Sequence, residues 1–260
     1  MKLSEILEMI VQSEKKASGL ILHAHGIIAE NKTDARNVVT EYDRKVQELL
    51  ISDFRTMLPD AHFFCEENDC RDSLNAEHLF IIDPIDGTAN FVHGFHHSAI
   101  SVAYARFGEV CAAAVYNPYF DEMFTAEKGN GSYLNGKRIH VNPDGLSGNI
   151  ACIGTSPYYT DTADDTFGIM RYMYDNALDV RREGAAALDL ASVASGRAGI
   201  FIEEKLSYWD YAAGVLLVRE AGGDAFTVNG TTLPADGSKS SVLAGTPKSV
   251  RDFLNDYYKA

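Results

Sequence analysis

The sequence predicts a mixed α/β protein, with helices plus an antiparallel sheet in its first half and alternating strands and helices in its second. Three observations carry this reading. Residues 3–30 and 42–58 repeat apolar side chains at helical spacing. Residues 98–129 alternate apolar and polar over three successive stretches. Beyond residue 149, short apolar runs and helix-like stretches take turns.

Each element has a local reason. Leu3, Ile6, Leu7 and Ile10 mark the first helical stripe; Tyr42, Val46, Leu49 and Leu50 mark the second, which Pro59 closes. Leu79–Ile82 is a short apolar run of the kind an interior strand carries. Phe107-Gly108 and Asn117-Pro118 supply turns between three antiparallel strands, and Asn135-Gly136 signals a further hairpin. The turn-rich segment 141–149 is the best boundary, dividing the chain into halves 1–145 and 146–260. After it come strand-like 149–154, helix-like 162–177, strand-like 178–181, helix-like 185–195, strand-like 199–203, helix-like 208–221 and strand-like 224–228.

Composition narrows the possible partners. A chain of 260 residues that is 46% hydrophobic can bury a substantial core. Its formal charge of −14 disfavours nucleic acid polymers and anionic membranes. Charges interrupt the apolar pattern at the N-terminus, which excludes a signal peptide there, and no segment approaches membrane-spanning length. Cys65, Cys70, Cys111 and Cys152 include no Cys-x-x-Cys pair, as expected of a reduced, cytoplasmic protein. The spacing of His93, His96 and His97 could hold zinc, but no second ligand group of zinc type stands nearby in the sequence.

The segment LFIIDPIDGTANF, 79–91, ends an apolar run in two aspartates. In a regular strand Asp83 and Asp86 would face opposite sides, because three is an odd separation. Pro84 suits the second position of a type I turn, which would bring both carboxylates toward one point. Like charges at about 4 Å repel by roughly 4 kcal/mol at an effective dielectric near 20, so such a pair takes a proton or a cation. Hard oxygen ligands suit Mg²⁺, Mn²⁺ or Ca²⁺; the alternative is a pair of loop caps serving backbone N–H groups. Glu66 and Glu67 also end a strand-like run, while Thr40-x-x-Asp43 and Ser207-x-x-Asp210 match capping boxes.

Taken together, VVTEYD, CEEN, IIDPIDGTANFVHGF and WDYAAGVLLVREAGG resemble the inositol monophosphatase family across nearly the whole chain. The resemblance implies a five-layer αβαβα sandwich and Mg²⁺-dependent hydrolysis of a small phosphate monoester by metal-activated water. It implies two to three Mg²⁺ ions, with Mn²⁺ a substitute, held by Glu66, Asp83, the Ile85 carbonyl, Asp86 and Asp210. Asp43 and Thr88 resemble the pair that orients the water, with Glu66 beside them. Asp86, Gly87, Thr88, Gly184, Ala185 and Glu203 match substrate-contact positions, and Lys32 stands where the family often has a lysine. Ala185 replaces the usual threonine or serine, and GFHHSA departs from the family's Gly-x-Pro. His96 could therefore reach substrate or simply fill that loop; Arg181 and Arg182 could meet a second phosphate or lie on a solvated strand end.

Glu203, seven residues before Asp210, favours a polyol such as inositol-1-phosphate. Fructose 1,6-bisphosphate, 3′(2′),5′-bisphosphonucleotides, NADP and histidinol phosphate remain alternatives on the same scaffold. A non-catalytic paralogue binding metal and sugar phosphate is a further reading. Lithium sensitivity and a homodimer are also implied by the resemblance.

Overall fold

The computed structural model describes residues 1–31, 38–67 and 70–257. The elements run α1 (Leu3–Leu22), β1 (Ala29–Asn31), β2 (Val38–Thr40), α2 (Glu41–Met57), β3 (His62–Cys65), β4 (Leu79–Asp86) and α3 (Thr88–Val92). Then come β5 (Ala99–Arg106), β6 (Glu109–Asn117), β7 (Glu122–Glu127), β8 (Gly131–Leu134), β9 (Lys137–Ile139) and β10 (Ile150–Ile153). The chain continues through α4 (Ala163–Asn176), β11 (Asp179–Arg181), α5 (Ala186–Ala194), β12 (Ile200–Leu206) and α6 (Tyr208–Glu220). It finishes with β13 (Asp224–Phe226), β14 (Ser240–Gly245) and α7 (Pro247–Asp256).

Five layers result. A seven-stranded sheet, in order β3-β4-β5-β6-β7-β8-β9, is antiparallel except where β3 runs parallel to β4. Ile6 and Ile10 of α1 and Val46, Leu50 and Phe54 of α2 cover one face, against Phe80, Ile82, Val102 and Tyr104. Leu188 and Leu190 of α5 and Leu217 and Val218 of α6 cover the other, against Leu79, Ile81, Ala103 and Val115. The same two helices pack against Phe201 and Val242 of a five-stranded sheet, in order β11-β10-β12-β14-β13. Ile169 and Met173 of α4 and Phe253 of α7 close its far face over Ile200, Ile202 and Leu243. Each large apolar side chain so buried is worth about 1.5–3 kcal/mol. Among the described residues no helix is long and apolar enough to cross a membrane.

The hairpins form as the turn residues predict: Phe107-Gly108 and Asn135-Gly136 both take positive φ at both positions, matching the twist of the flanking strands. Other expectations need correction. The first helix stops at Leu22, because the polar stretch from His23 leads to Gly26 at φ 59°, and Ala29–Asn31 pairs with Val38–Thr40 instead. The Asp83–Asp86 segment is not a turn; it continues β4 through a bulge. Strand β14 and helix α7 were not anticipated, although Thr246-Pro247 is a good helix start: the Thr246 hydroxyl accepts from Ser249 N–H, and proline fills the first helical position.

Candidate active site

The bulge is what aligns the two aspartates. Asp83 pairs with Ser101 and Asp86 with Ala99, so three residues of β4 pass two of β5. Along β4, Leu79 and Ile81 face the helix pair α5/α6 while Phe80 and Ile82 face α1/α2. The extra residue resets this alternation, and both carboxylates emerge on the α5/α6 side. Glu66, two residues beyond Phe64 on β3, follows onto the same side. Asp210 reaches it from the first turn of α6. Glu66, Asp83, Ile85, Asp86, Gly87, Thr88, Gly184, Glu203 and Asp210 line one cleft.

Capping and cleft duties are shared within single carboxylates. Asp43 Oδ2 accepts from Thr40 N–H at 2.8 Å and the Thr40 hydroxyl at 2.6 Å, while Oδ1 accepts from the Thr88 hydroxyl at 3.1 Å. Asp210 Oδ2 accepts from Ser207 N–H at 2.6 Å. Asp86 accepts from Ala186 N–H at 3.2 Å and Ala187 N–H at 2.8 Å, capping α5, whose own preceding residue, Ala185, has no side chain to do so. Asp83 differs: it is 2% exposed, and its Oδ1 has no hydrogen-bond partner.

Burial dominates the electrostatics. It pushes Asp43 up to about 6 and Asp86 up to about 7, against the pull of the N–H groups that bond them. Asp83 rises well above the ordinary carboxylate range through burial first and then the Glu66, Asp86 and Asp210 charges. Asp210 rises through burial and Glu66. Among the described residues these acids crowd one another in the cleft, with Asp83 and Asp210 raised by neighbouring carboxylates as well as by burial, which is the condition a divalent ion relieves.

The opposite wall belongs to the second half. Glu203 Oε1 accepts from Ser156 N–H at 3.0 Å and its hydroxyl at 2.6 Å. Gly154 lies so close that a Cβ there would overlap the Glu203 carboxylate. Gly87, at φ 81°, abuts Ala185 and the carbonyls of His97 and Gly184; a Cβ would stand 3.1–3.2 Å from each.

A model of the inositol monophosphatase family matches residues 2–259. The chain belongs to this family. It is 35% identical to the inositol-1-monophosphatase of Rhizobium meliloti, over 96% of each chain. It is 36% identical to the Nus factor SuhB of Pseudomonas aeruginosa, over 96% of this chain and 94% of that one. The solved structure of the extragenic suppressor protein suhB from Bartonella henselae superposes with a TM-score of 0.91 at 31% identity, covering 98% of this chain and 99% of that one.

Within this family member, four anticipated positions fall outside the cleft wall. Asp43 is fully buried and reaches the cleft through Thr88. Ala185 is buried behind the wall, against Gly87. His96 stacks on Tyr119 with ring centroids 4.7 Å apart, filling its loop. Arg181 pairs with Asp179 and lines a different cavity; Arg182 lines the cleft, held by the Thr155 hydroxyl at 3.0–3.1 Å. Lys32 lies outside the described residues. Ser156 was not anticipated. It sits at φ 34° just before Pro157, and its role in holding Glu203 leaves no mark in the sequence.

Proposed function

We propose that the chain hydrolyses a small phosphate monoester of a polyol, inositol-1-phosphate foremost, with Mg²⁺ as its cofactor. The observation that carries this is Asp83: a buried carboxylate oxygen without a hydrogen-bond partner, among Glu66, Asp86 and Asp210, suits a hard divalent cation. Glu66, Asp83, the Ile85 carbonyl, Asp86 and Asp210 are the proposed holders, for two to three ions. Bound there, such ions supply Lewis acidity to the phosphate and lower the pKa of the attacking water.

The protein's own groups have distinct parts. The Thr88 hydroxyl stands 3.1 Å from both the Asp43 carboxylate and the Ile85 carbonyl; when it donates to Asp43, its lone pairs are left to accept the proton of the attacking water. Gly87 and Thr88 approach the phosphate with backbone N–H groups, and the Gly184 carbonyl packs against Gly87 beside them. Glu203, braced by Ser156, accepts hydroxyl hydrogens of the polyol. Arg182 adds a cation at the rim.

Free cysteines, three of the four buried, suit a reducing cytoplasm. The family resemblance supports a homodimer, inhibition by lithium and Mn²⁺ as a substitute. The acidic charge supports small phosphorylated polyols, sugars or nucleotides as partners rather than nucleic acid polymers or membranes.

The deciding experiment is phosphate release from inositol-1-phosphate, fructose 1,6-bisphosphate, a 3′,5′-bisphosphonucleotide, NADP and histidinol phosphate, each with Mg²⁺ and with EDTA. Inositol-1-phosphate should lead, and EDTA should abolish release. A wide lead for the nucleotide bisphosphate would overturn the polyol assignment; no release from any ester would overturn the enzymatic one.

A further inference from the structure

We propose that His97, Glu183 and Asp189 form a second metal site outside the cleft, one that takes a divalent transition ion of the zinc type. One ligand atom from each side chain lies within 4.8 Å of the other two. An ion bound at about 2.0–2.2 Å spaces its donor atoms roughly 3–4 Å apart, so side-chain shifts of about an ångström bring all three round one centre.

Two of these groups have polar atoms without hydrogen bonds. Asp189 is 1% exposed, and although the Cys152 thiol lies against its carboxylate, Oδ1 has no partner. His97 Nε2 is also buried without a partner. A Glu183 oxygen stands 3.2 Å from it but off the ring N–H direction. An ordinary His–Glu ion pair would align the two; two ligands flanking a common third atom need not. Burial holds the imidazole below its ordinary pKa, hence neutral, which is the metal-binding form.

The surroundings hold the ligands in place. The Asn90 amide donates to the His97 carbonyl at 2.7 Å and the Glu183 carbonyl at 2.8 Å, fixing both backbones from α3. Arg181 and Arg197 line the same cavity, yet are engaged by Asp179 and Glu122. Of the three histidines clustered in sequence, His93 is exposed and His96 stacks on Tyr119, so only His97 joins, with carboxylates from the other half of the chain. An imidazole among carboxylates favours zinc-type ions over Mg²⁺, which separates this site chemically from the cleft.

The test is equilibrium dialysis of the full chain against Zn²⁺, with millimolar Mg²⁺ present to compete for the cleft, followed by metal analysis and anomalous diffraction at the zinc edge. Wild type should keep one Zn²⁺ equivalent, with its anomalous peak between His97, Glu183 and Asp189. His97→Ala and Glu183→Gln should weaken that equivalent at least about tenfold, whereas the cleft variant Asp83→Asn should retain it. If His97→Ala does not fold, Glu183→Gln decides, since its side chain is 39% exposed. Unchanged zinc retention in the folded variants, loss of the equivalent in Asp83→Asn, or no Mg²⁺-resistant zinc in wild type would each overturn the proposal.

Discussion

Asp86, on a strand of the first sheet, accepts the backbone N–H of Ala187 at 2.8 Å and so caps a helix one hundred residues further along the chain. The same carboxylate faces the cleft, so its removal has two separable effects. Asp86→Asn keeps an acceptor for one helix N–H and loses a charge that burial disfavours. Its melting temperature in EDTA should match or exceed wild type, while turnover falls at least about a hundredfold. Asp86→Ala loses the cap and should cost about 1–2 kcal/mol in urea unfolding. Equal, marked destabilisation by both variants would mean that Asp86 is structural only.

Thr88 and Asp43 should behave as a unit. Thr88→Val and Asp43→Asn should each lower kcat by about 10²–10⁴, with the double variant little worse than either single. Thr88→Ser, which keeps the hydroxyl, should recover most of the rate. Simple additivity in a double-mutant cycle would sink the pairing.

Stability should depend on pH and metal together. Asp43 and Asp86 hold protons up to about 6 and about 7 in the folded protein, and Asp83 and Asp210 are also raised. In the unfolded chain such groups ionise near pH 4. The contribution of Asp43 and Asp86 is therefore complete below about pH 4 and is lost as pH rises through about 6 to 7, and that of Asp83 and Asp210 is lost in the same direction. In EDTA the melting temperature should fall between pH 5 and pH 8, and Mg²⁺ should raise it more at pH 8. A flat or rising profile in EDTA, measured by calorimetry, would contradict the crowded-carboxylate picture.

Glu203 should govern substrate choice rather than chemistry. Gly154→Ala would displace its carboxylate, and Ser156→Ala would remove one of its two anchors. Both should raise KM for a polyol phosphate several-fold more than KM for a simple aryl phosphate. Equal effects on both esters would place Glu203 outside substrate recognition.

Much of the fold and of the site could be read from residues alone, for reasons that differ by element. Turns such as Asn135-Gly136 announce themselves because few residue pairs tolerate positive φ twice. The convergence of Asp83 and Asp86 was anticipated, but by a turn; a bulge is a property of two strands at once, and the partner Ala99–Ser101 bears no mark of it. Arg181 and Arg182 are indistinguishable in sequence, since only strand pairing decides which side each faces. His97 found its partners in Glu183 and Asp189, more than eighty residues away, which no local spacing reveals.

Helix α6 bears Asp210 at one end and runs with Tyr211 through Val218 buried without interruption. It has no wet side along that stretch. A fragment ending near residue 145 would leave its sheet bare where this helix belongs, and the complementary fragment would carry a greasy rod into solution. Gene truncations at the apparent boundary should therefore yield insoluble pieces, and mixing or co-expressing the two should be the only route back to soluble material.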